Sequence, residues 1–247
     1  MLANRTNQLL IMILFFLSAR IYSFQDTTAQ NFISKILIKK DFIKTLDYNC
    51  RVSISDSLGG IVDNEYHVYQ KYVDSTKLTY YSISCIEGLY KGLNYIYNGT
   101  NVYLYSKDTN ILVKFFNLKP EILELPELLP VLEVPYSKYN TIIEYEFNGI
   151  NNGIVTLSHE ENDSSSFIVK TKVLAEDSVL IVREYTVNIA KDIINEFKYT
   201  YTSKNKEVKQ IVTAKIFNME FDRIINDSIF NVDETKFIVD VISGDKP

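Results

Sequence analysis

From residue 46 onward the chain repeatedly alternates apolar with polar side chains, and this two-residue period constrains the fold more than any other feature. Leu46, Tyr48, Cys50, Val52 and Ile54 alternate with Asp47, Asn49, Arg51 and Ser53. Successive side chains of a strand point to opposite faces, so such a run places one face in a core and the other toward solvent. The signature returns at residues 66–73, 78–84, 167–173, 179–187, 197–202 and 208–217, with a last short run at 237–242. Ile143, Tyr145 and Phe147 alternate with Ile142, Glu144 and Glu146, and the glycines at 149–153 turn the chain into residues 154–157. Asn98-Gly99 lies between runs at 93–97 and 102–105, the strongest short-range signal for a β-hairpin. Many strands with short connections describe an antiparallel meander rather than a βαβ fold, and 247 residues suit one large β domain.

Two segments depart from this period. Over residues 30–43, Phe32, Ile33, Ile36, Leu37 and Ile43 fall near helical spacing with Lys35, Lys39 and Lys40 on the other side, which predicts an amphipathic helix. Asp26 and the two threonines after it supply its N-cap. Residues 118–135 carry Pro120, Pro126, Pro130 and Pro135 with Leu123, Leu125, Leu128, Leu129 and Leu132 between them. Proline at that spacing fits neither a long helix nor a central strand, but short helical turns starting near a proline are allowed. The segment is therefore an apolar excursion from the sheet whose leucines need a surface to cover.

The first 23 residues combine Arg5, an unbroken apolar run from Leu9 to Leu17, and small residues at Ser18, Ala19 and Ser23. A basic start, a short apolar run and small residues near a cut site are the signature of a secretory signal peptide, and the run is shorter than a membrane span requires. The expected division is a signal peptide over 1–23 and a single domain over 24–247, with a buried N-terminal helix or a leader retained as an anchor the alternatives. Cleavage removes Arg5 and Arg20, making the formal charge of −5 more negative by two. Such an acidic balance without a basic cluster argues against nucleic acid as partner. Cys50 and Cys85 are either one disulfide or, the favoured reading, two buried thiols.

Little in the sequence supports catalysis. His67 falls in a strand and His159 beside Glu160, Glu161 and Asp163, neither with metal-ligand spacing. No nucleophile elbow, phosphate loop or dinucleotide fingerprint is present, so no enzyme activity and no cofactor are expected. An apolar sheet face with an apolar lid is the arrangement used to hold lipid-like groups, the alternative being that the tyrosines and leucines simply form a core.

The order of elements resembles the outer-membrane lipoprotein carrier family (LolA). Its members begin with a signal peptide, a helix leading into the first strand, and a meander. They have an Asp-Gly hairpin with an aromatic residue four positions after the glycine and a Tyr two further on. Here the turn is Asn98-Gly99, with Tyr103 and Tyr105 at those positions. The Leu/Pro segment falls where the family places lid helices, and Asn218-Met219-Glu220-Phe221-Asp222 followed by Asp227-Ser228-Ile229-Phe230 resembles the family's closing pattern. The family's early Pro-x-x-Arg stretch is replaced by Asp74-Ser75-Thr76-Lys77-Leu78, so its inward, lid-locking Arg has no counterpart that the sequence assigns.

The resemblance implies a mainly β fold: a strongly curved antiparallel sheet forming an incomplete half-barrel, with an N-terminal helix and a short helical lid. It implies a monomeric periplasmic carrier of lipoprotein acyl chains, taking them from an inner-membrane release complex to an outer-membrane acceptor. Leu125, Leu128, Leu129 and Leu132 are then the expected lid contacts. Tyr95, Tyr97, Val102 and Leu104, one face of the hairpin if its loop is 98–101, are the expected cavity residues, with the Tyr103 and Tyr105 face as the alternative. Two other readings are a protein-interaction or signalling domain on the same fold, and a surface-exposed binding protein. For the latter, Asn98, Asn162 and Asn226 would be glycosylation acceptors in a eukaryote.

Overall fold

The computed structural model describes residues 34–36, 38–73, 79–106, 108–116, 129–132, 134, 136, 156–160, 163–174, 180–188, 193–202 and 207–243. The leader, Leu125 and Leu128, and the strand expected at 142–147 lie outside the described residues.

Alternation in the sequence becomes one sheet. The strands are β1 (Thr45–Asp56), β2 (Ile61–Tyr72), β3 (Thr79–Gly88), β4 (Leu93–Tyr97), β5 (Asn101–Ser106), β6 (Ile111–Phe116), β7 (Thr156–Glu160), β8 (Asp163–Leu174), β9 (Leu180–Asn188), β10 (Ile193–Thr202), β11 (Val208–Phe221) and β12 (Ile238–Ser243). Their order, β12-β6-β5-β4-β3-β2-β1-β11-β10-β9-β8-β7, is two meanders joined where β11 returns to pair with β1. The result is a curved, unclosed, mainly antiparallel sheet, an incomplete half-barrel as expected. One pairing departs from the antiparallel expectation: β12 lies parallel to β6, since the chain first crosses the sheet before joining its edge.

The hairpin β4–β5 forms where Asn98-Gly99 predicts it. Asn98 Oδ1 accepts the backbone N–H groups of Thr100 and Asn101 at 3.2 and 2.9 Å, and Gly99 takes φ +89°, a left-handed conformation that a residue with Cβ rarely adopts.

Helix α1 covers residues 34–42, residue 37 aside. Its buried stripe is Ile36, Lys40 and then Ile43 just beyond, one turn apart each, while Ile38 and Phe42 are exposed. Lys40 therefore sits on the buried side, not on the polar side expected for it, because the i, i+4, i+7 stripe set by Ile36 and Ile43 includes it. A second, four-residue helix, α2 (Leu129–Leu132), is what is described of the Leu/Pro excursion.

The two faces of the sheet have separate cores. On the inner face Leu46, Tyr48, Cys50 and Val52 of β1 meet Tyr66, Val68 and Tyr72 of β2, Ile83 of β3, Phe197 of β10 and Val212 of β11. Ile36 and Ile43, together with Val131, Val134 and Tyr136, belong to the same cluster. On the outer face Ile96, Tyr103, Leu112 and Phe230 form a smaller cluster, with Tyr69, Tyr80, Tyr105, Ile225, Val232, Phe237 and Val239 packed on it.

That outer cluster explains the closing pattern of the sequence. Asp222, at φ +55°, turns the chain out of β11, and its Oδ1 accepts the Lys44 N–H at 2.7 Å. Residues 223–237 then run across the outer face as a strap. Its 3₁₀ turn Asp227–Phe230 is capped by Asn226 and inserts Phe230, and Lys71 pairs with Asp227. Farther on, Lys114 Nζ donates to Glu234 at 2.6 Å, and Arg223 donates to the buried Asp47, which also bonds His67 at 2.8 Å.

Cys50 and Cys85 are free and buried. Both stand opposite Tyr66, one on each neighbouring strand, so two strand spacings of about 4.8 Å separate them. That is beyond the roughly 7 Å Cα reach of a disulfide.

Candidate functional site

Where α2 crosses the inner face, a polar chain is set into an otherwise apolar surface. In β2 the inward register reads Tyr66, Val68, Gln70, Tyr72, and Gln70 is fully buried. Tyr72 Oη donates to Gln70 Oε1 at 2.7 Å, Gln70 Nε2 donates to Tyr48 Oη at 2.8 Å, and Tyr48 Oη donates to the carbonyl of Val131 at 2.6 Å. Gln70 Nε2 also approaches the Leu132 carbonyl at 3.4 Å. Two side chains of the sheet thus hold the backbone of α2, and Tyr72 braces one of them. A helix of four residues has no stability of its own, so this latch and the burial of Val131, Val134 and part of Leu132 keep it in place.

Tyr136 anchors the next stretch of chain. Its ring meets Phe221 edge-on with centroids 5.2 Å apart, Lys39 Nζ lies 4.0 Å over the Phe221 ring, and its hydroxyl accepts the Ile194 N–H at 3.1 Å. Ile194 is free to make that bond because β10 bulges: Ile194 pairs with Val187 and Glu196 with Thr186, leaving Asn195 as an extra residue. A second bulge faces it on β11, where Asn218 (φ +53°) and Met219 together oppose Tyr48 of β1. β10 leaves β11 after the Glu196–Lys215 pair while β11 continues to Phe221. The gap is a cavity of about 400 Å³ lined by Asn188, Ile193, Ile194, Asn195, Ile216, Phe217, Asn218 and Met219. Ile194 and Ile216 line the cavity and belong to the inner core as well.

The expected hairpin residues share one face. Tyr97 pairs with Val102 and Tyr95 with Leu104, and all four belong to the inner cluster. Tyr103 and Tyr105, the alternative face, turn outward beneath the strap, Tyr105 against Phe237 with centroids 5.1 Å apart. Of the expected lid residues, Leu129 lies in α2 and Leu132 packs partly buried on the core. The residues the sequence reading passed over are Tyr48, Gln70, Tyr72, Val131, Val134, Tyr136 and the three asparagines. One signal was available: Gln70 occupies an apolar register position between Val68 and Tyr72.

Burial pushes the Tyr48 phenol well above its ordinary value, with Cys50 and Tyr72 adding to the rise and the Gln70 bond opposing it. A phenol that ionises later in the folded chain than in the unfolded one contributes stability in full below about pH 10, lost as the pH rises beyond it. In an alkaline titration followed by phenolate absorbance, Tyr48 is expected to ionise only together with unfolding. A Tyr48→Phe protein should show one phenolate fewer in that late step, which Tyr81, likewise raised by burial, shares.

No protein-family model matches the chain, and no curated protein matches it. Among solved structures it is similar to a DUF1329 family protein from Desulfovibrio piger (11% identity, TM-score 0.41, covering 84% of this chain and 97% of that one). It is also similar to a LolA superfamily protein from Nitrosomonas europaea (11%, 0.38, 81% and 97%). A third is the MucA/MucB complex of Pseudomonas aeruginosa (7%, 0.42, 87% of this chain and 64% of that one). The resemblance to LolA read from the sequence recurs among these neighbours. Among the described residues no helix is long and apolar enough to cross a membrane.

Proposed function

We propose that the protein is exported by its N-terminal segment and carries the acyl chains of lipid-modified proteins through the periplasm, binding them beneath α2 without catalysing a reaction. The observation that carries this reading is the pairing of a short cover with space: α2 is held by backbone-directed bonds from Tyr48 and Gln70, and a cavity of about 400 Å³ between β10 and β11 shares Ile194 and Ile216 with the core. A plain core has no need of a four-residue helix latched through its carbonyls.

The energetics allow exchange. Burying ten methylenes is worth about 8 kcal/mol, enough alone for micromolar affinity. Displacing α2 breaks the latch and exposes Val131 and Val134, which subtracts a few kcal/mol and keeps release to an acceptor feasible. A donor complex in the inner membrane and an acceptor at the outer membrane are the partners this reading calls for.

Native mass spectrometry of the domain over 24–247, titrated with a synthetic triacylated lipopeptide, is expected to give a 1:1 complex at micromolar concentration or below. Failure to bind this probe or any long-chain lipid would remove the carrier reading.

A further inference from the structure

The cavity between β10 and β11 carries more polar chemistry than an acyl chain needs. Among the described residues its lining has five apolar side chains, Ile193, Ile194, Ile216, Phe217 and Met219, but also three primary amides, Asn188, Asn195 and Asn218. Two of the amides sit at the bulges that splay the strands, so the backbone irregularity and the polar lining arise together. The carbonyl oxygen of the Asn195 side chain is buried and accepts no hydrogen bond. Leaving a buried acceptor unmet is costly, and native folds rarely do so without a reason. At a cavity of ligand size, the reason at hand is a donor supplied by whatever enters.

The chemistry of that donor is restricted. None of the described lining residues is charged, so beside them a phosphate or carboxylate would lose its water without gaining a counter-charge. Amides, esters and hydroxyls suffer no such loss: an N–H or O–H meets Asn195 Oδ1, and carbonyl oxygens can accept from asparagine side-chain N–H groups. We propose that the Asn188–Asn195–Asn218 cavity recognises the uncharged amide- and ester-bearing head of an acylated ligand, and so sorts such ligands from phosphate-headed lipids of equal chain length. This inference rests on the acyl-carrier reading and adds a selectivity to it. Tyr136 ties the two together, because its hydroxyl bonds the Ile194 N–H beside Asn195 while its neighbours cover the core.

The test compares two probes with the same two palmitoyl chains: the amide of N-acetyl, S-dipalmitoylglyceryl cysteine, and dipalmitoyl phosphatidylglycerol. Affinities are read by native mass spectrometry on wild type, Asn195→Leu and Asn195→Asp. Wild type is expected to favour the neutral probe by about tenfold. Asn195→Leu should lower affinity for the neutral probe about fivefold to tenfold, the size of one lost hydrogen bond, and leave the phosphatidylglycerol affinity unchanged. Asn195→Asp keeps the size of the side chain, and its charge should reject phosphatidylglycerol further; it carries the test alone if the leucine variant does not fold. Equal affinity of wild type for both probes, or equal losses on substitution, overturns the selectivity while leaving the carrier reading in place. Binding of neither probe by a folded wild type overturns the carrier reading itself.

Discussion

Phe230→Ala is expected to destabilise the protein by about 3–5 kcal/mol, the usual cost of emptying a buried aromatic site. Phe230 is 2% exposed, stacks near Tyr80 with ring centroids 5.9 Å apart, and is the central apolar contact of the strap with the outer face. A domain's whole stability is about 5–15 kcal/mol, so the loss is a third of it or more. The strap's other holds are the partly buried Ile225, Val232 and Phe237 and ion pairs such as Lys71–Asp227, exposed pairs of that kind contributing about 1 kcal/mol or less each. Freed of Phe230, the strap leaves Ile96, Tyr103 and Leu112 open to solvent, and the sample should bind hydrophobic dyes. Urea unfolding measures the effect as a lowered midpoint. Ile224→Ala in the same strap is the contrast, since Ile224 is 97% exposed and its truncation should change stability by less than about 0.5 kcal/mol.

The second large effect concerns the latch. Tyr48→Phe removes a hydroxyl that both donates to the Val131 carbonyl and accepts from Gln70, all within a fully buried setting. Partners left unmet in such a place cost about 1–3 kcal/mol. The cost falls on the covered state, because once α2 moves away its carbonyls can reach water. Expressed as population, the shift toward the open state is about 5- to 150-fold. The variant should therefore be less stable than wild type when free, equal to it when saturated with lipopeptide, and tighter in binding by a similar factor. If Tyr48 served packing alone, stability would fall equally with and without lipopeptide, and affinity would not rise.

Much of the sheet was legible because its cause is local. Alternation fixes which side chains share a face, and Asn98-Gly99 fixes the β4–β5 turn, so Tyr95, Tyr97, Val102 and Leu104 could be assigned together before any coordinates. What turned out otherwise depends on distant chain. Whether a face looks inward or outward is a tertiary matter: Tyr103 and Tyr105 are covered only because a strap more than a hundred residues later crosses them. The parallel β12–β6 pair has the same origin, as it follows from the path of the strap and not from any pattern in residues 238–243.

The site was less legible than the fold. Leucines mark an apolar segment by composition, yet the described cover uses Val131, Val134 and Tyr136 as well, and its latch comes from β1 and β2. Gln70 breaks the apolar register of β2 and could have been noticed. Asn195 and Asn218 could not, because bulges appear only when strands are paired and their register is counted. The inward arginine sought from the family resemblance has no assigned counterpart, and the bonds to the lid backbone come from a tyrosine and a glutamine instead.

The central claim is that acyl chains enter by displacing α2. Amide hydrogen exchange of the domain with and without saturating lipopeptide tests it most directly, with residues 129–136 followed separately from the strands. The account predicts that 129–136 lose protection on binding while β1, β2 and β11 keep theirs. Binding that leaves the protection of 129–136 unchanged or raises it would contradict the account.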